Sequence, residues 1–361
     1  MTAEVLIETG SRSGSGREPK VTVIIPGCNV AKTIELCLSS IRAQDYPAEC
    51  LEILYIDDRS TDQSVSIAAK FASRVIKMTG EWYGPAAARN EGVKQAAAGI
   101  IVFFDADTVA PPGTVRRLVE HLTRDGLDGV FGSYDSEPSE RNFVSQYRNL
   151  LHHFVHQTSR GEASTFWAGC GAVLKESFQK AGGFDAERYS RPMIEDIELG
   201  HRMKALGMRI ALERSATVKH LKKWTLLQMI KADIFYRGIP WVRLLLQEPR
   251  SSSEIGDLNL KVPAFLSVGL AWTAVILAII ALWHPVLFAA VLVLLLVGLL
   301  INMPVCRFFY RVRGLSFALM SAPLQFIYHL YNGVSVTLAV LCQLIDNVLP
   351  GQRSLGSIMR R

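Results

Sequence analysis

Two carboxylates one residue apart, Asp105 and Asp107, close the stretch IIVFFDAD, whose five leading apolar residues read as a buried strand. A strand ending in Asp-x-Asp can hold a hard divalent cation, which takes oxygen ligands and shares them with substrate phosphates. Taken alone, the pair also fits a polar turn, since Pro111 and Pro112 follow closely. A second pair, Asp57 and Asp58, ends LEILYIDD and can accept from a nucleobase N–H or from ribose hydroxyls. A third acidic pair, Glu195 and Asp196, opens the helical pattern of IEDIELGHRM. There Leu199, Met203 and Leu206 recur at i, i+4 and i+7, and Asp196, three before Leu199, lies on the same inward face. An acid aimed inward suits a general base, although acids at this point also favour a helix N-terminus through the macrodipole.

The elements that must carry these residues alternate. VTVIIP reads as a strand ending in Pro26-Gly27-Cys28-Asn29, and a helical pattern with Ile34, Leu38 and Ile41 follows. Then come the strand LEILYIDD, a helix from about Thr61, the strand-like RVIKM, a helix over Ala86 to Ala97, and IIVFFDAD. Such a series predicts an α/β fold, a Rossmann-like and mainly parallel sheet with helices on both faces, whose ligands bind beyond the carboxyl ends of the strands. Three strand ends with polar or flexible residues on one rim describe a ligand site more economically than three unrelated turns. With no GxGxxG after the first strand and no Walker sequence, a nucleoside diphosphate fits better than a dinucleotide.

The chain has 361 residues, a formal charge of +6 and a hydrophobic fraction of 49%, which is too apolar for an ordinary soluble enzyme. The excess is local. No Asp, Glu, Lys or Arg occurs from Val262 to Cys306, a run roughly twice what a ~30 Å hydrocarbon core requires, so it is expected to cross twice with a turn at His284-Pro285. A further uncharged run suggests a third span over Pro323 to Ile345, crossing or re-entrant, with Leu315 to Ala322 at the interface. About three C-terminal transmembrane helices follow from this count. Arg250 and Lys261 before the first span, and Arg307, Arg311 and Arg313 after the second, put those flanks in the cytoplasm, while Arg353, Arg360 and Arg361 of the tail pull the other way. No signal-peptide core precedes residue 20, so the polar domain is expected to remain cytoplasmic at a cell (inner) membrane. The six cysteines lack metal-ligand spacing and read as small core residues of a reducing compartment. Between Trp224 and Gln247, aromatic residues alternate with Lys and Arg, which reads as an interfacial platform on anionic lipid, broken in two by Pro240, and not as a nucleic-acid surface. The expected organisation is a lead-in over 1–19, a catalytic domain over 20–223, an interfacial segment over 224–261, membrane helices over 262–345 and a basic tail over 346–361.

Taken in order, VTVIIPGCN, YIDDRSTD, GPAAARNEG, FFDAD, and GGFD followed by IEDIELGHRM resemble the family 2 glycosyltransferases of GT-A fold over about residues 20 to 224. The resemblance implies that Pro26, Glu35, Asp58 and Arg89 form the nucleotide-sugar pocket, with Asp57 sharing the nucleoside role. It implies that Asp105 and Asp107 hold Mg or Mn on the diphosphate, with Asp105 also lining the donor pocket, and that Asp196 of the Glu195-Asp196 pair is the base of an inverting hexosyl transfer. It also lets His220 approach the metal or diphosphate. His220 to Trp224 resembles in part the Gln-x-x-Arg-Trp signature of processive polysaccharide synthases, with Lys223 in place of Arg and Trp224 as the acceptor-side aromatic. Gly27-Cys28 stands where relatives often carry an aromatic residue. The expectation is a membrane-anchored glycosyltransferase acting from a nucleotide sugar on a lipid or lipid-linked acceptor; a polysaccharide synthase and a polyprenyl-phosphate glycosyltransferase are the alternatives.

Overall fold

A computed structural model describes residues 18–81, 83–247 and 262–348. Most of the expected lead-in, the flanking Arg250 and Lys261, and the tail cations Arg353, Arg360 and Arg361 lie outside the described residues. The first half alternates as expected: β1 (Val21–Gly27), α1 (Ile34–Arg42), β2 (Leu51–Asp57), α2 (Ser64–Ala68), β3 (Arg74–Lys77), α3 (Pro85–Gln95) and β4 (Ile100–Phe104). Its four strands are parallel in the order β3-β2-β1-β4, with Gly27 paired to Asp57 at one rim.

The second half contains β5 (Thr108–Val109), α4 (Thr114–Arg124), β6 (Gly129–Tyr134), α5 (Phe143–Gln157), β7 (Glu162–Ala163), β8 (Cys170–Leu174), α6 (Lys175–Lys180), α7 (Glu195–Ala205) and β9 (Ile210–His220). The sheet continues β4-β8-β6-β9-β5, with β7 on β9. Here the expectation of a mainly parallel sheet is corrected. β8 inserts antiparallel between β4 and β6, so the sheet is mixed. The reversal brings the start of β8 to the rim where β4, β6 and β9 end. Alternate residues of β1 serve opposite faces, Val21, Val23 and Ile25 packing with α1 and α4 while Ile24 packs with α3 and α7, so helices cover both sides. At Gly132 a side chain would strike the Ala216 carbonyl, and the β6–β9 register shifts there, bending β9 toward the rim.

Beyond the sheet run α8 (Leu226–Lys231), a π-helical turn over Ala232–Gly238, and α9 (Ile239–Gln247). Pro240 does not break the segment in two. The wide turn before it makes room for the ring and absorbs the missing donor, so the helix continues. Next come α10 (Val262–Ile280), α11 (Leu287–Ile301) and α12 (Met303–Val348), with the α10–α11 turn at the expected His284-Pro285. Two of these, α10 and α12, are long and apolar enough to cross a membrane; α11 is apolar but shorter. α12 departs from helical geometry at Gly314 (φ 83°, ψ 179°) and is continuous through Pro323, so Leu315 to Ala322 joins the same helix as Pro323 to Ile345. Phe309, Ala318 and Leu324 of α12 pack with Tyr147, Leu150 and Leu151 of α5, together with Trp224 and Met229. Arg148 of α5 pairs with the buried Asp233 at 2.6 Å, and Asp233 also accepts from Tyr331 of α12 at 2.7 Å. Of the cysteines, Cys37, Cys170 and Cys342 are buried as expected, but Cys28 is exposed.

Candidate active site

The strand ends gather the acids. Asp105 and Asp107 follow β4, and the antiparallel turn to β9 pairs Thr108 with His220, so His220 comes to Asp107 although they are far apart in sequence. Its Nε2 lies 3.5 Å from Asp107 Oδ2, its Nδ1 lies 2.7 Å from Asn149 Oδ1, and its ring stacks on Tyr134 at 4.5 Å. With Nδ1–H donated to Asn149, Nε2 faces Asp107 with either a proton or a lone pair, and the gap takes a proton or a cation. Burial opposes the charge of Asp107, but the hydrogen bond and charge of His220 and the charge of Lys222 outweigh it, holding the carboxyl below its usual range. No group of three His, Cys, Asp or Glu side chains among the described residues forms a ready metal cluster. Asp105, Asp107 and His220 offer instead a partial oxygen and nitrogen set, the kind that substrate phosphate oxygens complete around Mg or Mn.

Arg89 binds the two acidic motifs together. From α3 its buried guanidinium reaches Asp105 Oδ1 at 2.6 Å and Glu195 Oε1 at 3.0 Å. Glu195 Oε2 accepts the Met193 N–H at 2.8 Å, so both of its oxygens are engaged in holding the start of α7. Asp196 is differently placed. Its Oδ2 accepts the Ala168 N–H at 3.1 Å, next to β8, and its Oδ1 accepts the Ile197 N–H. Burial raises its pKa to about 7, helped by the charge of Glu195 and countered by Arg89 and the Ala168 N–H. The inward stripe holds for Leu199 and Met203, which are buried, and fails at Leu206, which is 49% exposed where the helix ends.

At the ends of the first two strands, Pro26 is buried in β1 and Asp57 is buried in β2, where it accepts the Ser60 N–H. Asp58 Oδ2 accepts the Gly84 N–H at 2.8 Å, tying β2 to the start of α3, while its Oδ1 is buried without a partner. An acceptor left unpaired in a pocket is a place for a ligand donor. Glu35 is exposed in the first turn of α1.

Several residues that sequence reasoning passed over complete the wall. Trp167 meets Tyr134 edge-on at 4.9 Å and His152 at 5.0 Å, and it directly precedes Ala168, which holds Asp196. A side chain at Gly169 would strike the Trp167 ring, so Trp-Ala-Gly-Cys-Gly was the available signal. Burial first, and then the cost of a further positive charge beside Arg148 and among neighbouring imidazoles, hold His152 well below its usual pKa, hence neutral. Trp224, expected on the acceptor side, is 6% exposed and packs between α5 and α12, with its backbone held by Ser145 and Asn142 and Lys222 Nζ 4.4 Å from its ring centroid; Lys223 beside it is exposed.

Residues 22–182 match the family model for glycosyl transferase family 2. The chain is 34% identical over 121 residues to the glycosyltransferase AglE of Haloferax volcanii, covering 32% of this chain and 40% of that protein. It is 25% identical over 206 residues to the probable glycosyltransferase YdaM of Bacillus subtilis, covering 53% of this chain and 48% of that one. The match thus spans less than half the length of either relative. A solved structure of the mannosyltransferase PcManGT from Pyrobaculum calidifontis, in complex with GDP-Man and Mn2+, aligns with a TM-score of 0.52 at 18% identity over 94% of this chain and 92% of that one. That likeness is one of fold, and it confirms a mixed α/β sheet of GT-A type. Residues 22–182 thus form a glycosyl transferase family 2 domain.

Proposed function

We propose that the chain is an inverting, metal-dependent glycosyltransferase that moves a hexose from a nucleoside-diphosphate sugar to a hydroxyl of a lipid or lipid-linked acceptor at the cytoplasmic leaflet. The observation that carries this is the pairing, on one rim, of Asp105, Asp107 and His220 with Asp196, whose carboxyl is pushed up to about 7. Asp57 and Asp58 accept from the nucleoside, and Arg89 fixes Asp105 so that the diphosphate end is held in register with Asp196. Asp105, Asp107 and His220 would hold Mg or Mn, which would offset the negative charge that grows on the departing diphosphate. The acceptor hydroxyl oxygen forms the new bond to the anomeric carbon from the face opposite the diphosphate, whose C–O bond breaks. The hydroxyl proton goes to the Asp196 carboxylate. A group titrating near 7 suits removal of a hydroxyl proton, whereas a phosphate acceptor is already ionised and has no such need; this favours the hydroxyl over the polyprenyl-phosphate alternative. His220 and Lys223 stand where the Gln-x-x-Arg-Trp signature has Gln and Arg, and the few C-terminal helices offer little material for a channel, so the polymer-synthase reading ranks second.

The membrane part of the reading rests on α10 and α12, and on the exposed apolar side chains of all three C-terminal helices, among them Phe265, Leu292, Leu300 and Leu319. Basic Lys222, Lys223, Arg307 and Arg311 near the seam suit anionic lipid. The test offers purified chain radiolabelled UDP- and GDP-sugars with total lipid extract. Label in a solvent-extractable lipid is the expected result; label in an insoluble polymer, or none in any fraction, overturns it.

A further inference from the structure

Between α10, α11 and α12 lies a cavity of about 520 Å3, within the rough range of 300–1,000 Å3 typical of ligand pockets. Most of its wall is apolar, including Ala271, Ala274, Leu295 and Leu299, but one end carries Ser267, Asn302, Gln325 and His329. Polar groups between apolar helices of this kind are costly and mark function.

Their hydrogen bonds leave one atom over. Asn302 Nδ2 donates to the Gly298 carbonyl and to Ser267 Oγ, each at 2.9 Å, and the Ser267 hydroxyl donates to the Pro263 carbonyl. That fixes the amide, so Asn302 Oδ1 is the atom 3.3 Å from His329 Nε2, and it assigns the ring proton to Nε2; the Gln325 amide, also 3.4 Å from Nε2, meets only the Tyr147 hydroxyl otherwise and accepts the same proton when its carbonyl end is turned there. His329 Nδ1 is then an acceptor, and it is buried with no partner in a ring only 5% exposed. A buried acceptor is stabilised by a donor, and the adjoining apolar wall by hydrocarbon.

We infer that this cavity binds a hydroxyl-bearing lipid, its chain along α10 and α11 and its hydroxyl donating to His329 Nδ1. The inference rests on the reading of these helices as membrane-embedded and on nothing about sugar transfer. The site also reaches the catalytic domain: the Gln325 amide meets the Tyr147 hydroxyl of α5 at 2.6 Å, two residues from the Asn149 that holds His220.

The experiment places the full chain in phosphatidylcholine nanodiscs with a diacylglycerol carrying a diazirine in one acyl chain, or with the O-methyl ether of that probe. The free-hydroxyl probe is expected to label α10 and α12 about tenfold more than the ether, the usual scale for one hydrogen bond to a buried partner. His329→Phe should abolish the preference, with folding read from donor-nucleotide binding. Competition by hexadecanol, but not by its methyl ether, gives the same answer without a variant. Equal labelling by the two probes, or a preference that survives His329→Phe, overturns the site and leaves the transferase reading intact. Release of the chain from membranes by alkaline carbonate would overturn the membrane reading and the site with it.

Discussion

Asp196 is the residue on which the proposed chemistry turns. Replacing it by Asn keeps the shape and the acceptor for the Ala168 N–H but removes the proton-accepting oxygen, so donor binding should survive while transfer falls by ~10²-fold or more. Parallel loss of donor binding in a calorimetric titration would instead mark Asp196 as a part of the fold. Its pKa adds a sign. The carboxylate form grows as pH rises through about 7, so transfer should climb to a plateau above that pH and the Asn variant should lack the limb. Stability should run the other way, because a carboxyl raised in the folded state contributes most below its ordinary 3.8 and loses that contribution as pH rises to about 7. Asp107→Ala should abolish donor binding that chelator removes and Mn or Mg restores; full activity in excess EDTA would overturn the metal role. Asp107 was legible in the sequence because it closes a hydrophobic run, and Asp196 because it shares a helix face with Leu199 and Met203. Asn149, Tyr134 and His152 were not, since their partners are set by the β6–β9 pairing and no local spacing records it.

At the scale of elements, the seam between α5, the π-turn and α12 is held by a buried ion pair. Asp233→Ala leaves Arg148 charged and unpaired there, and breaking such a pair costs about 3–5 kcal/mol. The expected outcome is a lower unfolding midpoint with donor affinity retained at permissive temperature; an unchanged midpoint would show that water serves Arg148 as well as Asp233 does. Gly314 is a second element-scale device. Its φ of 83° with ψ near 180° belongs to glycine, and Gly314→Ala should strain the bend by about 1–3 kcal/mol. The first-half alternation was readable from periodicity, and the inward stripe of α7 nearly so. The antiparallel β8 was not readable, because a five-residue buried run has the same pattern in either direction. Pro240 misled for a related reason: the rule that proline interrupts a helix assumes the α-helical turn, and the wider turn of 232–238 suspends it.

For the whole molecule, the catalytic sheet and the C-terminal helices are not separable parts. A chain ended after Gln247 would uncover Tyr147, Leu150, Leu151 and Met229, so it should melt lower than the intact chain and aggregate without detergent; a monodisperse, equally stable fragment would refute this. The same joint has a consequence for reach. From Leu315 to Val348, α12 runs roughly 50 Å at 1.5 Å per residue, more than the ~30 Å of hydrocarbon it could sit in, and its near end is fastened to the helix that holds His220. It behaves as a strut. On the proposed membrane reading, the altitude of the catalytic rim over the bilayer would be fixed, and acceptors would be selected by how far their reactive oxygen stands above the headgroup plane before any side chain examines what they are.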